Sequence, residues 1–503
     1  MLDALSWAVW PIAVPLAAAV VIFFLPARLA PLLSLVAAGL TSASALGLMW
    51  QVVQQGPLRY DVGGWGASLG IELYADGLTL VMLAMTTIVG LATSVYATGY
   101  FAAGDQTKSG DASDHSHDAM GFWPLWLFLW AALNALFLSA DLFNLYVTLE
   151  LLGLASVALV ALSATALALT AALRYLFVAL LGSLTYLLGV ALLYGAYGTL
   201  DVASLSSVVM AEPVSWAALA LMTVGLLLKT ALFPLHFWLP QAHANAPAPV
   251  SAVLSALVVK ASFYLIVRLW FDVFPAILAP AIGHLLGVLG IAAILWGSVQ
   301  ALRQERLKLL VAYSTVAQLG YLFLMFPLLT TATGDTNAWA GGIYFALAHA
   351  CAKAAMFLAA GSIMQAIGHD RIPHLQGISE HLPLTIVAFA IAGVSLMGLP
   401  PSGGFVAKWL LLTAALKHGH WWIAGVLLIG GLMAAGYVFR VVKLALAAAP
   451  ASHLVANVPR RMQWAALTLA LVALGLGISA TQPLSLLQTG NSISPVALME
   501  VTP

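Results

Sequence analysis

Residues 214–234 read VSWAALALMTVGLLLKTALFP. An apolar run leads up to Lys229, and Pro234 follows five positions later. At about 1.5 Å per residue, a helix of some 20 such residues crosses a hydrocarbon core of roughly 30 Å. A lysine at the centre of such a helix costs about 2.5–3.5 kcal/mol on insertion scales. Proline then opens the ladder, because it lacks an N–H and its ring clashes with the preceding turn. Irregular backbone at membrane depth persists only where protein or water satisfies it. A buried charge beside a break is a membrane helix built around a functional point.

The rest of the chain has the same character. Of 503 residues, 63% are apolar and 7% charged, against about 25% charged in an ordinary soluble domain. Mean hydropathy is +1.02. Strand-length alternation of the kind a membrane barrel needs does not repeat. Eighteen basic and 18 acidic residues cancel, which leaves no basic stripe for nucleic acid and no surface-lying amphipathic helix. Cys351 is the single cysteine, so an internal disulfide and a cysteine-held metal or iron–sulfur site are excluded. The first apolar run, Trp7 to Leu25, follows no basic stretch and reads as a span rather than a signal peptide.

Apolar runs between polar or Pro/Gly breaks predict an all-α polytopic protein of about 14 spans. Their limits are 7–25, 31–53, 76–98, 122–139, 141–163, 173–198, 214–239 and 247–270, then 281–302, 306–329, 339–366, 383–416, 421–447 and 463–483. The longest polar insert, Phe101 to Gly121, contains His115 and His117, whose spacing alone is weak support for a metal and fits a solvated loop. Asp76 reads as the N-cap of span 3. Lys and Arg in the loops set orientation. With the termini outside, Arg28, Lys108, Arg174, Arg303, Arg306, Lys308, Arg371, Arg440, Lys443, Arg460 and Arg461 fall inside, and only Arg59, Arg268 and Lys417 outside. The expected topology is therefore N-out, C-out.

Four lysines remain, all within spans: Lys229, Lys260, Lys353 and Lys408. Glu150 is the clearest acid in an apolar run. Span 12 contains a second break, Gly398 to Gly404, shortly before Lys408. Broken spans in two halves of a chain point to a transport site between internal repeats. Spans 7 and 12 lie five apart, so spans 4–8 (122–270) and 9–13 (281–447) are expected to form two five-helix units, the second inverted. Residues 1–121 and 448–503 flank them.

The motifs around these lysines resemble the antiporter-like proton-translocating subunits of respiratory complex I, membrane-bound hydrogenases and Mrp-type Na⁺/H⁺ antiporters. The resemblance rests on Lys229 through Pro234, His236 and His243 to Lys260; on Leu307 to Tyr321; on His349 to Leu358; and on Pro400 to Lys408. Gln241, Ser262 and Gly403 depart from the usual Asp, Gly and Ser. Asp141 to Glu150 looks most like the D-type subunit of the Mrp antiporters, and a lysine at 408 differs from the complex I paralogue with glutamate there. The largest paralogues carry a long lateral helix after the last span, which is not expected here.

The resemblance implies that spans 5 and 7 pack so that Glu150 pairs with Lys229. Burial disfavours the ammonium form, and a carboxylate restores it, so moving or neutralising Glu150 would release the Lys229 proton. His349 and Lys353, four apart, share a helix face. With Lys260 and bridging water they would extend a polar line to Lys408. His236 and His243 flank the break and are candidates for feeding protons from the inner side. The plainer readings are loop packing for these two, a hydrogen-bonded core imidazole for His349, snorkelling or satisfaction by backbone carbonyls for Lys260, Lys353 and Lys408, a structural role for Lys229 and Glu150, and a positive-inside anchor for Arg174, which could otherwise tune Glu150. The expected function is proton translocation in a multisubunit Na⁺/H⁺ antiporter of a bacterial inner membrane, with hydrophobic partner subunits, protons and Na⁺ as partners and no cofactor. The alternatives are a pump module of a complex I-like oxidoreductase or hydrogenase, and an energy-coupling subunit for inorganic-carbon uptake.

Overall fold

A computed structural model describes residues 6–65, 70–107, 112–331, 335–448 and 456–490. Helix occupies every one of the expected apolar segments, and their numbers are kept below. Among the described residues, 12 helices are long and apolar enough to cross a membrane. Segment 1 is the shorter Trp10–Phe23, and segment 12 is split into Pro383–Met397 and Gly403–Lys417.

Several limits differ from expectation. Segment 6 starts at Ala166, because the Thr165 hydroxyl accepts the Ala168 N–H at 3.2 Å and caps the helix. Arg174 therefore lies two turns inside it, exposed. The polar insert is largely helical: Gly77–Thr107 and Ala112–Leu138 run into it. The side chains of His115 and His117 lie outside the described residues.

Both breaks fall where the prolines put them. Helix Pro213–Thr230 stops at Ala231, which is left-handed at φ 59°, and a short helix resumes at Leu239–Asn245. The Trp238 indole donates to the Leu228 carbonyl at 3.0 Å, replacing a helical bond that the break removes. In segment 12, Gly398 ends the first half at φ 81°, and the Ser402 hydroxyl accepts the Phe405 N–H at 3.2 Å to start the second. Segment 8 is continuous over Ala248–Val273 but widens into π-turns at Leu254–Val258 and Leu269–Val273. Segments 6 and 7 touch backbone to backbone: a Cβ on Gly225 would collide with the Gly182 carbonyl oxygen. Small residues permit this close approach between membrane helices.

The connections gather at two ends. At one, Leu73 bridges Ser139, Asp141 bridges Asp201, and the Gly77 N–H reaches the Thr489 carbonyl at 2.8 Å. At the other, Arg306 bridges Arg371, and the Gly377 and Ala456 N–H groups reach the carbonyls of Ala447 and Ala366 at 2.7 and 2.8 Å. The first end carries an addition to the all-α expectation: Leu58–Asp61 pairs antiparallel with Glu72–Ala75. This ribbon delivers Asp76, which does cap segment 3, accepting the Thr79 N–H at 2.9 Å.

Asp76 also meets a residue that loop counting misplaced. Arg268 belongs to segment 8, is 9% exposed, and forks onto Asp76 at 2.5 and 2.7 Å while also reaching Asp272 at 2.9 Å. The planar guanidinium suits such two-pronged binding. Arg268→Ala is expected to cost about 3–5 kcal/mol by leaving a buried carboxylate unpaired. A thermal unfolding curve of the purified protein that does not move would refute that role.

Candidate functional site

Segment 5 begins with Asp141, whose carboxylate accepts the N–H groups of Phe143 and Asn144 at 3.0 and 2.8 Å. That start fixes the helix Leu142–Ala161 and presents Glu150 to segment 7. Lys229, in the last turn before the break, places its Nζ 3.3 Å from Glu150 Oε1 and 3.4 Å from the Leu149 carbonyl. The lysine is 6% exposed and the carboxylate 22%. Glycines make room for it: a Cβ on Gly182 would lie 3.1 Å from Lys229 Cγ, and one on Gly153 3.6 Å from Nζ. A small cleft beside Lys229 is lined by Gly153, Tyr175, Val258 and Ser262, and so borders the first π-turn of segment 8. Ser262, a departure from the family pattern, thus stands in the cleft.

The other three lysines are fully or almost fully buried, and each ammonium is held by oxygen atoms. Lys260 donates to the Ser255 carbonyl, which the π-turn exposes. Lys353 donates to the Ser314 hydroxyl and, at 3.1 Å, to the Val311 carbonyl. Lys408 donates to the carbonyls of Leu396 and Met397 at 2.7 and 3.4 Å and lies 4.1 Å from the centre of the Tyr321 ring. The carbonyls at a helix C-terminus attract a cation, and the aromatic face adds to that. Lys408 therefore bridges the break in its own segment, whereas Lys229 pairs across to another. Of the two plainer readings for Lys260, Lys353 and Lys408, snorkelling fails because the side chains are buried, whereas bonding to backbone carbonyls is what each one shows.

Two imidazoles lie among these charges. His349, 1% exposed, stacks on Phe345 and feels Lys260, Lys353 and Lys408. His243, fully buried, stacks on Phe357 at 4.7 Å and feels Lys308, Lys353 and Lys260. Neither ring has a hydrogen bond to a described residue. Buried polar groups are nearly always satisfied, which sets these two imidazoles apart from the rest of the core. His236 stands apart, stacked on Phe233 at 5.4 Å. Among the described residues no three His, Cys, Asp or Glu side chains converge as metal ligands would.

Lys260, Lys353 and Lys408 are thus buried in the same core as His243, His349 and the Glu150–Lys229 pair. Sequence reasoning missed Lys308, which it assigned to an inner loop; it is 1% exposed and donates to the Ala246 carbonyl. Its place within the Leu307 to Tyr321 motif was the available signal.

Comparison with known proteins agrees with this geometry. Residues 139–434 match the family described as NADH:quinone oxidoreductase/Mrp antiporter, TM, and residues 63–109 match the complex I chain 5 N-terminus family. The N subunit of the NADH-quinone oxidoreductase of Desulforudis audaxviator is 37% identical over 80% of this chain and 78% of its own length. The D subunit of the Na⁺/H⁺ antiporter of Alkalihalophilus pseudofirmus is 32% identical over 76% and 74%. A chain in the Mrp complex of Dietzia sp. DQ12-45-1b superposes with a TM-score of 0.87 at 26% identity, covering 98% of this chain and 99% of that one. With more than half its length inside one family match, and its buried lysines lying within it, this chain belongs to the NADH:quinone oxidoreductase/Mrp antiporter family of membrane subunits.

Proposed function

We propose that the chain is the proton-translocating subunit of a multisubunit Mrp-type Na⁺/H⁺ antiporter in a bacterial inner membrane. The observation that carries this is the Glu150–Lys229 pair, 3.3 Å apart, in a core that also buries Lys260, Lys353, Lys408, His243 and His349. While Glu150 stays charged and close, Lys229 keeps its proton. When the carboxylate is neutralised or withdrawn, the buried ammonium loses its counter-charge and gives the proton up. Lys260, Lys353, His349 and water carry it on to Lys408. His243 and His236 stand on the entry side. No redox chemistry is needed in this chain.

The architecture that supports the reading has 14 spans, the short segment 1 and the split segment 12 included, with both termini outside. The second end described above, carrying Arg303, Arg306, Arg371 and Arg440, would be cytoplasmic. Residues 122–270 and 281–447 form the two inverted five-helix units, each with one broken helix and one lysine beside the break. Residues 1–121 and 448–503 pack around them. Other hydrophobic subunits complete the complex, and the Na⁺ site is shared with or held by them.

A second reading, the proton pump module of a complex I-like oxidoreductase, is favoured by the 37% identity to an N-type oxidoreductase subunit. Gentle purification through a tag on this chain, followed by mass spectrometry, separates the two. Several small hydrophobic partners without a cofactor-bearing subunit are expected, with Na⁺-driven proton movement in vesicles of the same cells. Co-purification of flavin or iron–sulfur subunits would replace the antiporter reading by the pump.

A further inference from the structure

The row of buried groups needs an entrance, and Lys308 is poorly explained as an anchor. It lies in the first turn of the helix Leu307–Phe323. A cation there opposes the helix dipole, which favours negative charge at an N-terminus. A lysine at a helix end ordinarily turns its head to water. This one turns inward, is 1% exposed, and donates to the carbonyl of Ala246, the residue that ends the short helix Leu239–Asn245.

Two charges act on it from the loop side, and they are of opposite sign. Asp370, 5% exposed, accepts the Lys308 backbone N–H at 3.4 Å and the Arg306 Nε at 3.0 Å. The Arg306 side chain is 43% exposed. Asp370 thus touches both the part-exposed Arg306 and the backbone of Lys308. On the inward side lies His243, three positions before Ala246, with neither ring nitrogen bonded to a described residue. Ser251 ties this corner together, donating to the His243 carbonyl at 2.9 Å. The same hydroxyl reaches the Ala246 carbonyl at 3.5 Å, so Lys308 and His243 share one corner.

We propose that Lys308 is the proton-carrying residue at the mouth of the row, loaded beside Asp370 and unloading to His243. The proposal rests on the transport reading above. Protonated, the ammonium is held by the Asp370 charge and the Ala246 carbonyl. Neutral, it is an amine facing an imidazole that two further lysines surround. No bond other than N–H is made or broken: the proton leaves Lys308 Nζ for a nitrogen of His243, directly or through water.

The competing explanation is a static pin, in which the ammonium simply fastens segment 10 to the end of the broken helix. Lys308→Arg separates the two. Arginine keeps the charge and the donors but does not deprotonate in proteins. Proton movement driven by a Na⁺ gradient in everted vesicles is expected to fall at least about tenfold in Lys308→Arg, with the complex still recovered intact. Exchange within twofold of wild type would show a pin and overturn the proposal. Asp370→Asn supplies an independent readout for the case of poor assembly. A carboxylate favours the protonated form of a neighbouring ammonium, so its loss should move the pH profile of exchange toward lower pH, where loading is restored. An unmoved profile would also overturn the proposal. A wild-type complex that moves no protons under a Na⁺ gradient would count against the antiporter reading instead, and the same variants are then scored on redox-driven pumping.

Discussion

Lys229→Ala is expected to abolish ion exchange while leaving the complex assembled. Removing a group that must take and give a proton costs about 10²-fold or more, and among the described residues no second lysine pairs with Glu150. The fold should survive, because the partner left behind is the more exposed member of the pair, at 22%. A partly accessible carboxylate can take up a proton or water instead of remaining a bare buried charge. Packing loss is limited too, since the lysine stem lies against glycines at 153 and 182. Lys229→Arg should assemble as well and remain inactive, because its charge cannot be switched off. The check is exchange in vesicles set beside recovery of the intact complex; normal exchange in Lys229→Ala would remove the switch from the mechanism.

Lys408→Ala is expected to fail differently, losing exchange and stability together. Here the ammonium holds the last carbonyls of the helix Pro383–Met397, those of Leu396 and Met397. Without it, buried carbonyls lose their donor, at a cost of about 1–3 kcal/mol. Lys408→Arg should restore much of the unfolding temperature but not the exchange. If Lys408→Ala unfolds at the wild-type temperature, the lysine does not secure the break.

The segments were legible because a run of 20 apolar residues has few other fates, and the breaks because Pro234 and the Pro400-Pro401 pair leave no alternative. The buried lysines at 229, 260, 353 and 408 were legible for the same reason: each is flanked by apolar residues on both sides. Lys308 and Arg268 were not, since both sit at the edge of an apolar run, where a charge ordinarily meets water. Which way such a head turns depends on distant groups, the Ala246 carbonyl and Asp370 for one, Asp76 for the other. The Glu150–Lys229 contact came from family resemblance rather than from spacing, as the residues are 79 apart. The ribbon at Leu58–Asp61 and the π-turns of segment 8 left no mark, because a four-residue strand and one extra residue per turn alter neither composition nor period.

Segments 8 and 11, which carry Lys260, His349 and Lys353, are buried inside the protein over their whole apolar windows. In the finished molecule they touch other helices, and nothing in that setting requires them to be oily. Segment 8 is nonetheless as apolar as segments 6 and 13, whose faces remain exposed. The reason lies in biogenesis. A helix leaving the translocation machinery meets lipid before its later neighbours exist, and at that moment each lysine carries its full insertion cost. The oiliness of segment 8 is therefore addressed to a transient environment that the mature protein no longer contains. Substitutions that look harmless in the packed core, such as polar replacements for its alanines and leucines, should act on the yield of inserted protein before they act on anything the folded molecule does.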